Sequence, residues 1–191
     1  MNNAYFVLRH GQSRANLAGI ILSHLENGKK DDYTLTPLGE EQVRQSVSES
    51  KANGMLGPKT IIISSPFSRT LRTAEIAKEI LGSEHDFSID DRLRERWFGD
   101  WEQTSDANYA NVWTNDSKGL DHADAHVESV HDVQKRVMEL FNELEAQYHG
   151  ETFLLISHGD VLQILLASLQ HGAANFHRDI PSLETAEMRK V

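Results

Sequence analysis

Two histidines in this chain each stand at the end of a short apolar segment. His10 follows residues 4–8 with only Arg9 between, and His158 follows residues 152–156 with only Ser157 between. A third apolar segment, residues 60–63, is followed closely by Arg69. An imidazole can attack phosphorus, and guanidinium groups can clamp phosphoryl oxygens with paired hydrogen bonds. Together these residue types predict a site for a phosphoryl group.

These groups can meet only if the three apolar segments lie side by side. Each segment is short, continuous and rich in β-branched or aromatic residues, which is typical of a strand buried on both faces. Helical patterns lie between them, so the sequence predicts an α/β fold, a three-layer sandwich with a mostly parallel central sheet and helices on both faces. Ligands of such sheets bind at the carboxyl ends of the strands, where the histidines stand.

Two Ser/Thr-Pro pairs predict helix starts. Thr36-Pro37 and Ser65-Pro66 each place a capping residue before a proline. The second helix would carry Arg69 in its first turn, where free N–H groups and the helix dipole attract anions. The clearest amphipathic stripe predicts another helix, and it comprises Val130, Val133, Val137, Leu140, Phe141 and Leu144.

The remaining segments have weaker patterns. Residues 161–169 predict a helix that is apolar on most sides, and residues 180–189 predict an edge strand. Residues 20–32 and 103–126 predict loops and short helices over the active face. The glycine that follows each of the two histidines, Gly11 or Gly159, is expected to let the backbone approach a ligand.

Composition excludes several functional classes. With 191 residues, the chain suits a single domain over 1–191, and its net charge of −10 disfavours a protein that coats nucleic acid or an anionic membrane. A small anionic ligand in a local basic pocket remains compatible with that charge. There are no cysteines, which removes disulfides and thiol catalysis. No targeting or membrane-spanning pattern is present, so the sequence predicts a cytoplasmic protein.

Five ordered motifs resemble those of the histidine phosphatase superfamily, which has the phosphoglycerate mutase-like fold. The first is Arg9-His10-Gly11-Gln12-Ser13 with Asn16, and the last is Ser157-His158-Gly159. The three between them are Leu35-Thr36 with Gly39 and Gln42, Ser64-Ser65-Pro66 with Arg69, Thr73 and Ala74, and Leu93-Arg94-Glu95 with Phe98-Gly99 and Trp101-Glu102.

The resemblance implies a role for each matching residue. His10 would be the nucleophile and Glu95 the proton donor, while Arg9, Arg69 and a cationic His158 would hold the phosphoryl oxygens. This positive cluster can take the place of a metal, so neither a metal nor another cofactor is expected. The predicted substrate-binding residues are Asn16, Gln12, Ser13, Thr36 and Gly159.

Two assignments stay open at this level. The acid could instead be one of the carboxylates near Glu95, namely Asp90, Asp91, Asp100 or Glu102. His122, His126 and His131, interleaved with Asp121 and Asp124, could bind a metal, although a solvated polar loop is the preferred interpretation.

Hydrolysis is the predicted reaction. Mutases of the family are typically longer, with insertions and a tail that shield the phosphohistidine, whereas only 32 residues follow Gly159 in this chain of 191. The alternatives are mutase-type transfer, or a non-catalytic member that binds phosphorylated ligands. The acidic surface favours a small phosphorylated metabolite over a polymeric phosphate. The substrate and the oligomeric state stay open.

Overall fold

A central sheet runs through the protein, whose computed structural model describes residues 1–116, 118–119, 124–171 and 174–191. Within these residues the strand order is β3-β2-β4-β1-β5, with β5 antiparallel to β1 and the other neighbours parallel. The predicted fold class is confirmed. The strands are β1 (Ala4–Arg9), β2 (Ile61–Ser64), β3 (Ser88–Ile89), β4 (Thr152–Ser157) and β5 (Met188–Lys190).

Helices cover both faces of the sheet. Alternate residues of β1 point to opposite sides of the sheet. Phe6 and Leu8 pack with helices α3 (Pro37–Ala52) and α4 (Ser68–Leu81), and Tyr5 and Val7 pack with helices α6 (Val130–Gln147) and α7 (Gly159–His171). This double burial explains why the strands are continuously apolar. The α-helices are α1 (Arg14–Ala18), α2 (Leu25–Gly28), α3 (Pro37–Ala52), α4 (Ser68–Leu81), α5 (Tyr109–Asp116), α6 (Val130–Gln147) and α7 (Gly159–His171).

One of the two predicted helix starts is wrong. Thr36 caps α3 as predicted, because its hydroxyl accepts the Gly39 N–H at 3.0 Å. At the second site, however, α4 begins at Ser68 and Phe67 occupies the cap position. The Ser65 hydroxyl is not available as a cap, because it forms a hydrogen bond with His158 Nε2 at 2.8 Å. Arg69 still lies in the first turn of the helix.

The segments with weak patterns form an edge strand, short helices and turns. The predicted C-terminal edge strand is confirmed as β5, whereas β3, only two residues long, carries no pattern that predicts it. Short helices and turns form most of the described parts of residues 20–32 and 103–126. None of the helices in the described ranges is both long and apolar enough to span a bilayer.

Candidate active site

The two histidines lie at the ends of neighbouring parallel strands. Because β1 and β4 pair in register, Arg9 stands opposite Ser157, and the residue after each is a histidine. The ring centroids of His10 and His158 are 5.3 Å apart, and both side chains are buried. The predicted meeting of these groups at the carboxyl edge of the sheet is therefore observed.

Arg69 joins the two rings and fixes their tautomers. Its Nε donates to His10 Nε2 at 3.0 Å, and its Nη2 lies 3.0 Å from His158 Nδ1. Arginine has no acceptor, so both of these ring nitrogens must be unprotonated. The other nitrogen of His10, Nδ1, then donates to the Gly11 carbonyl oxygen at 2.7 Å. His10 Nε2 is thus unprotonated, which is the form that a nucleophile requires, and its lone pair accepts the Arg69 Nε–H in the ligand-free site.

Electrostatics keep both rings neutral. Burial and the neighbouring Arg69 and Arg9 guanidinium groups lower the pKa of His10 well below its ordinary value. Burial and Arg69 do the same to the pKa of His158. The expectation of a cationic His158 is therefore wrong for the ligand-free site, because the ring is fully buried and already faces a permanent cation.

Glu95 lies on the other side of Arg69. Its Oε2 is 3.5 Å from both Arg69 Nη2 and His158 Nδ1, and its side chain is buried. Burial raises the pKa of Glu95 to about 7, with a further upward contribution from Asp160, against the opposing effect of Arg69. A carboxyl group with this pKa can both donate and accept a proton near neutral pH.

The segment that carries Glu95 is anchored to the sheet and to α6. The Ser157 hydroxyl donates to the Leu93 carbonyl at 2.7 Å. Arg136 of α6 donates to the carbonyl of Arg92 and, at 3.4 Å, to that of Glu95. These bonds satisfy backbone acceptors that no strand or helix would use. They hold the carboxyl group beside Arg69.

Three of the four competing carboxylates are engaged elsewhere, and the fourth, Asp91, is exposed outside the cavity over His10. Asp90 binds Arg92, Asp100 binds His126, and Glu102 accepts hydrogen bonds from the backbone N–H groups of Ser23 and His24. Of the five candidate acids, Glu95 is the one that lines the cavity described next.

A cavity of about 260 Å³ opens over His10. Two buried donors on its wall, Arg9 Nε and Arg69 Nη1, have no hydrogen-bond partner among the described residues. Buried donors are rarely left unsatisfied, so two of them in a cavity that His10 also lines indicate a place that can bind an anion. The side chains of Arg9, His10, Arg69 and Glu95 all line this space, whereas His158 lies outside it and binds Arg69.

Known proteins resemble this chain over most of its length. The family model for branch 1 of the histidine phosphatase superfamily matches residues 5–191. The chain belongs to the histidine phosphatase superfamily. A relative from Hydrogenobacter thermophilus named "Putative phosphoserine phosphatase 2" is 30% identical over 173 residues, covering 86% of this chain and 77% of that protein. An Escherichia coli protein named "Probable phosphoglycerate mutase GpmB" is 29% identical over 171 residues, with 86% and 73% covered.

Solved structures share the fold of this superfamily member. A mycobacterial glucosyl-3-phosphoglycerate phosphatase in complex with VO3 superposes with a TM-score of 0.79 at 24% identity, covering 98% of this chain and 91% of that one. An Escherichia coli chain described as "a putative alpha-ribazole-5'-P phosphatase" gives a TM-score of 0.74 at 23% identity, with 98% and 89% covered.

The predicted substrate-binding residues divide into two groups. Asn16, Ser13 and Gly159 line the cavity of this histidine phosphatase. Gln12 and Thr36 do not line it, and they bond to each other instead, with the Thr36 hydroxyl 2.8 Å from Gln12 Oε1. This pair joins the His10 loop to the start of α3.

The glycine after His10 serves packing rather than ligand approach. A Cβ atom on Gly11 would lie 2.3 Å from the Gly39 carbonyl oxygen, and one on Gly39 would lie 2.0 Å from the Gln12 carbonyl oxygen. The loop can rest against α3 only because both residues lack a side chain. The expectation that Gly11 admits a ligand is therefore wrong.

Sequence reasoning missed part of the cavity wall. Tyr109 and Trp113 of α5 line it, as do Gln163 of α7 and Arg178. The two aromatic rings are stacked with centroids 5.3 Å apart. Their spacing of four residues fits one helix face, but residues 103–126 carried no other signal that this face would border the site.

The described part of the histidine-rich segment does not form the helical face that the metal hypothesis needed. His122 and Asp121 lie outside the described residues. Ala125 and His126 have positive φ angles, which an α-helix does not allow, and the His126 side chain is 83% exposed. His126 Nδ1 pairs with Asp100 at 3.0 Å. A polar surface turn accounts for the described part of this segment.

A second charged cluster lies behind the cavity. Asp116, Asp160 and His177 approach one another closely, and the buried Arg96 fills the space between the two carboxylates. Arg96 binds Asp116 with two hydrogen bonds of 2.7 and 2.8 Å and Asp160 with one of 3.0 Å. Burial alone would raise the pKa of Asp116, but the bonds from Arg96 outweigh it and lower that pKa to about 2. The cluster ties α5 to α7.

We expect Asp116→Ala to destabilise the fold by about 3–5 kcal/mol, because it leaves the fully buried Arg96 without two hydrogen bonds. Urea unfolding at pH 7 measures the change. Asp100→Ala is the matched control, since it removes an exposed partner of His126 and should cost less than about 1 kcal/mol. Equal stability losses in the two variants would contradict the role assigned to Arg96.

Proposed function

We propose that this protein is a metal-independent phosphomonoesterase that hydrolyses a small phosphorylated metabolite through a phosphohistidine at His10. The observation that carries the proposal is the pair of unsatisfied buried donors, Arg9 Nε and Arg69 Nη1, beside the unprotonated Nε2 of His10. A phosphoryl group bound there would satisfy both donors and present its phosphorus to the nucleophile.

In the first step, the Arg69 Nε–H turns from His10 Nε2 to a phosphoryl oxygen, which frees the Nε2 lone pair. His10 Nε2 then attacks phosphorus and the bond to the ester oxygen breaks. The leaving alkoxide needs a proton, and protonated Glu95 supplies it. Binding of a phosphate dianion next to Glu95 favours its protonated form further, because like charges repel. Arg9 and Arg69 offset the charge on the phosphoryl oxygens during the transfer.

In the second step, the Glu95 carboxylate takes a proton from water as that water attacks the phosphohistidine. The P–N bond breaks, inorganic phosphate leaves, and His10 and Glu95 return to their starting forms. His158 acts as a positioning residue in this scheme. Its Nδ1 accepts from Arg69, and its Nε2 donates to the Ser65 hydroxyl, which fixes the arginine over the nucleophile.

Two further observations support the substrate class. A cavity of about 260 Å³ suits a small ester better than a nucleic acid or a protein segment. Charge neutralisation is assigned to side chains of this chain, so no step calls for a metal. Relatives named as phosphatases favour hydrolysis, and the relative named as a mutase makes transfer the alternative.

Turnover of p-nitrophenyl phosphate in the presence of EDTA tests the proposal. We expect hydrolysis between pH 5 and 8, with one inorganic phosphate released for each p-nitrophenol. Folded protein without activity in this range would contradict the enzyme assignment. Turnover that stops after about one p-nitrophenol per protein, and that resumes on addition of an alcohol acceptor with the phosphoryl group found on that acceptor, would favour transfer over hydrolysis.

A further inference from the structure

We propose that Arg178 is a second anion-binding group in this cavity and selects phosphomonoesters that also carry a carboxylate. The inference rests on the proposed function, because it concerns the part of the substrate that does not react. It follows from the way Arg178 is held and from the donors it leaves free.

Arg178 is fixed against the cavity wall by three contacts. Its guanidinium carbon lies 3.8 Å from the centroid of the Trp113 ring. Its Nη1 donates to Gln163 Oε1 at 2.8 Å and to Asp160 Oδ1 at 3.2 Å. Trp113 Nε1 donates to the same Asp160 oxygen at 3.0 Å, so the indole and the guanidinium are held by one carboxylate. A cation held in this way loses little conformational entropy on binding a ligand.

The rest of the guanidinium is available to a ligand. Among the described residues, the Nε and Nη2 atoms of Arg178 have no hydrogen-bond acceptor, and the side chain is 30% exposed and lines the cavity. Adjacent N–H groups of a guanidinium match the two oxygens of a carboxylate. The free edge of Arg178 is therefore complementary to such a group.

The charges around Arg178 favour a carboxylate over a second phosphate. Arg178 and Arg96 together face Asp160 and Asp116, so two cations are already balanced by two anions. Asp106 adds a further exposed carboxylate to the cavity lining. A second phosphate dianion would face this negative charge with no excess of cations to balance it. A carboxylate carries a single negative charge, and the free N–H pair of Arg178 is enough to bind it.

The second group lies close enough to the reacting one for a small molecule to reach both. Asp160 directly follows Gly159, and a Cβ atom on Gly159 would lie 3.5 Å from the unpaired Arg9 Nε. Arg9 thus lies near Gly159, Arg178 pairs with Asp160, and both arginines line one cavity of about 260 Å³. The arrangement fits a short phosphorylated hydroxy acid.

A matched substrate pair tests the inference. 3-Phosphoglycerate carries a carboxylate where glycerol 3-phosphate carries a hydroxymethyl group, and the two esters are otherwise the same. Both are assayed by phosphate release at about 0.15 M salt. We expect kcat/KM to be at least about 10-fold higher for the acid, the effect of a charge-assisted hydrogen bond. Equal values for the two esters would overturn the inference. So would a preference for propane-1,3-diol bisphosphate over the acid.

Variants locate the effect. Arg178→Gln should raise KM for 3-phosphoglycerate about 10- to 100-fold and change the kinetics of glycerol 3-phosphate less than about 3-fold. Arg178→Lys keeps the charge but loses the paired N–H groups, so its KM for 3-phosphoglycerate should lie between those of wild type and Arg178→Gln. Arg44→Gln, on α3 and away from the cavity, is the matched control. Equal losses on both esters would show that Arg178 is merely structural.

Binding separates this inference from the proposed function. Calorimetric titration of the His10→Ala protein with the same two esters needs no turnover. Preferential binding of the acid, lost on adding Arg178→Gln, would support the anion site even if wild-type protein hydrolysed nothing. Hydrolysis of p-nitrophenyl phosphate without any preference between the two esters would leave the proposed function standing and refute the anion site.

Discussion

His10→Ala is expected to abolish turnover of p-nitrophenyl phosphate, with a loss in kcat of at least about 10⁴-fold. The substitution removes the atom that forms the covalent intermediate, and loss of a nucleophile is among the largest single-residue effects in covalent catalysis. Among the described residues, no second imidazole can replace it, because His158 does not line the cavity and both of its ring nitrogens are engaged, by Arg69 and by Ser65. Steady-state kinetics measures the loss.

Trapping of the intermediate checks the same assignment. Brief incubation of wild-type protein with a ³²P-labelled ester should yield an acid-labile, base-stable phosphate, and His10→Ala should yield none. His126→Ala is the control, since that imidazole is exposed and lies outside the cavity. Label that persists in His10→Ala, or turnover within 10-fold of wild type, would refute the assigned nucleophile.

Glu95→Gln is expected to lower kcat/KM for an alkyl phosphate by about 10²- to 10⁴-fold, because an amide cannot protonate the leaving alkoxide. The loss should be smaller for p-nitrophenyl phosphate, whose phenolate leaves without a proton. The amide also cannot activate water, so the phosphohistidine should accumulate. A burst of about one p-nitrophenol per protein, followed by slow turnover, is the expected signature.

The pH profile gives an independent check on Glu95. Its pKa is raised to about 7, and the protonated form is the active donor. For an alkyl phosphate, kcat/KM should therefore fall about tenfold per unit well above that pH, whereas below about pH 6 protonation of the substrate dianion sets the acid side of the profile. Protonation of His10 should not reduce kcat/KM in the pH range where an ordinary imidazole titrates, because the pKa of His10 is lowered. Glu95→Gln should remove the fall, whereas Asp100→Asn should keep it. A fall that persists in Glu95→Gln would assign the acid elsewhere.

The predicted reaction chemistry depended on residues that local pattern could locate. Apolar segments ended at Arg9 and Ser157, and a parallel sheet brings such ends to one edge whatever the details of packing. The double burial of β1 and β4 accounts for both the apolar pattern and the meeting of His10 with His158. Periodicity likewise predicted α6 and α7.

Local pattern was less reliable where a side chain had a distant partner. Ser65-Pro66 has the form of a helix start, yet the serine hydroxyl binds His158, which is 93 positions away. Gly11 does not line the cavity, and Gly39 packs against it instead. In both cases a long-range contact outweighed the local preference.

By itself, the sequence predicted the three buried strands, the main helices between them and the edge of the sheet where His10 and His158 meet, and it supplied the candidate residues for phosphoryl transfer. Only the tertiary structure decided that Arg69 fixes both histidine tautomers, that burial raises the pKa of Glu95, and that Arg178 and Trp113 join the same cavity. The physical reason is that periodicity reports which face of a segment is apolar, whereas protonation and specificity depend on the burial and charges that folding gathers from distant parts of the chain.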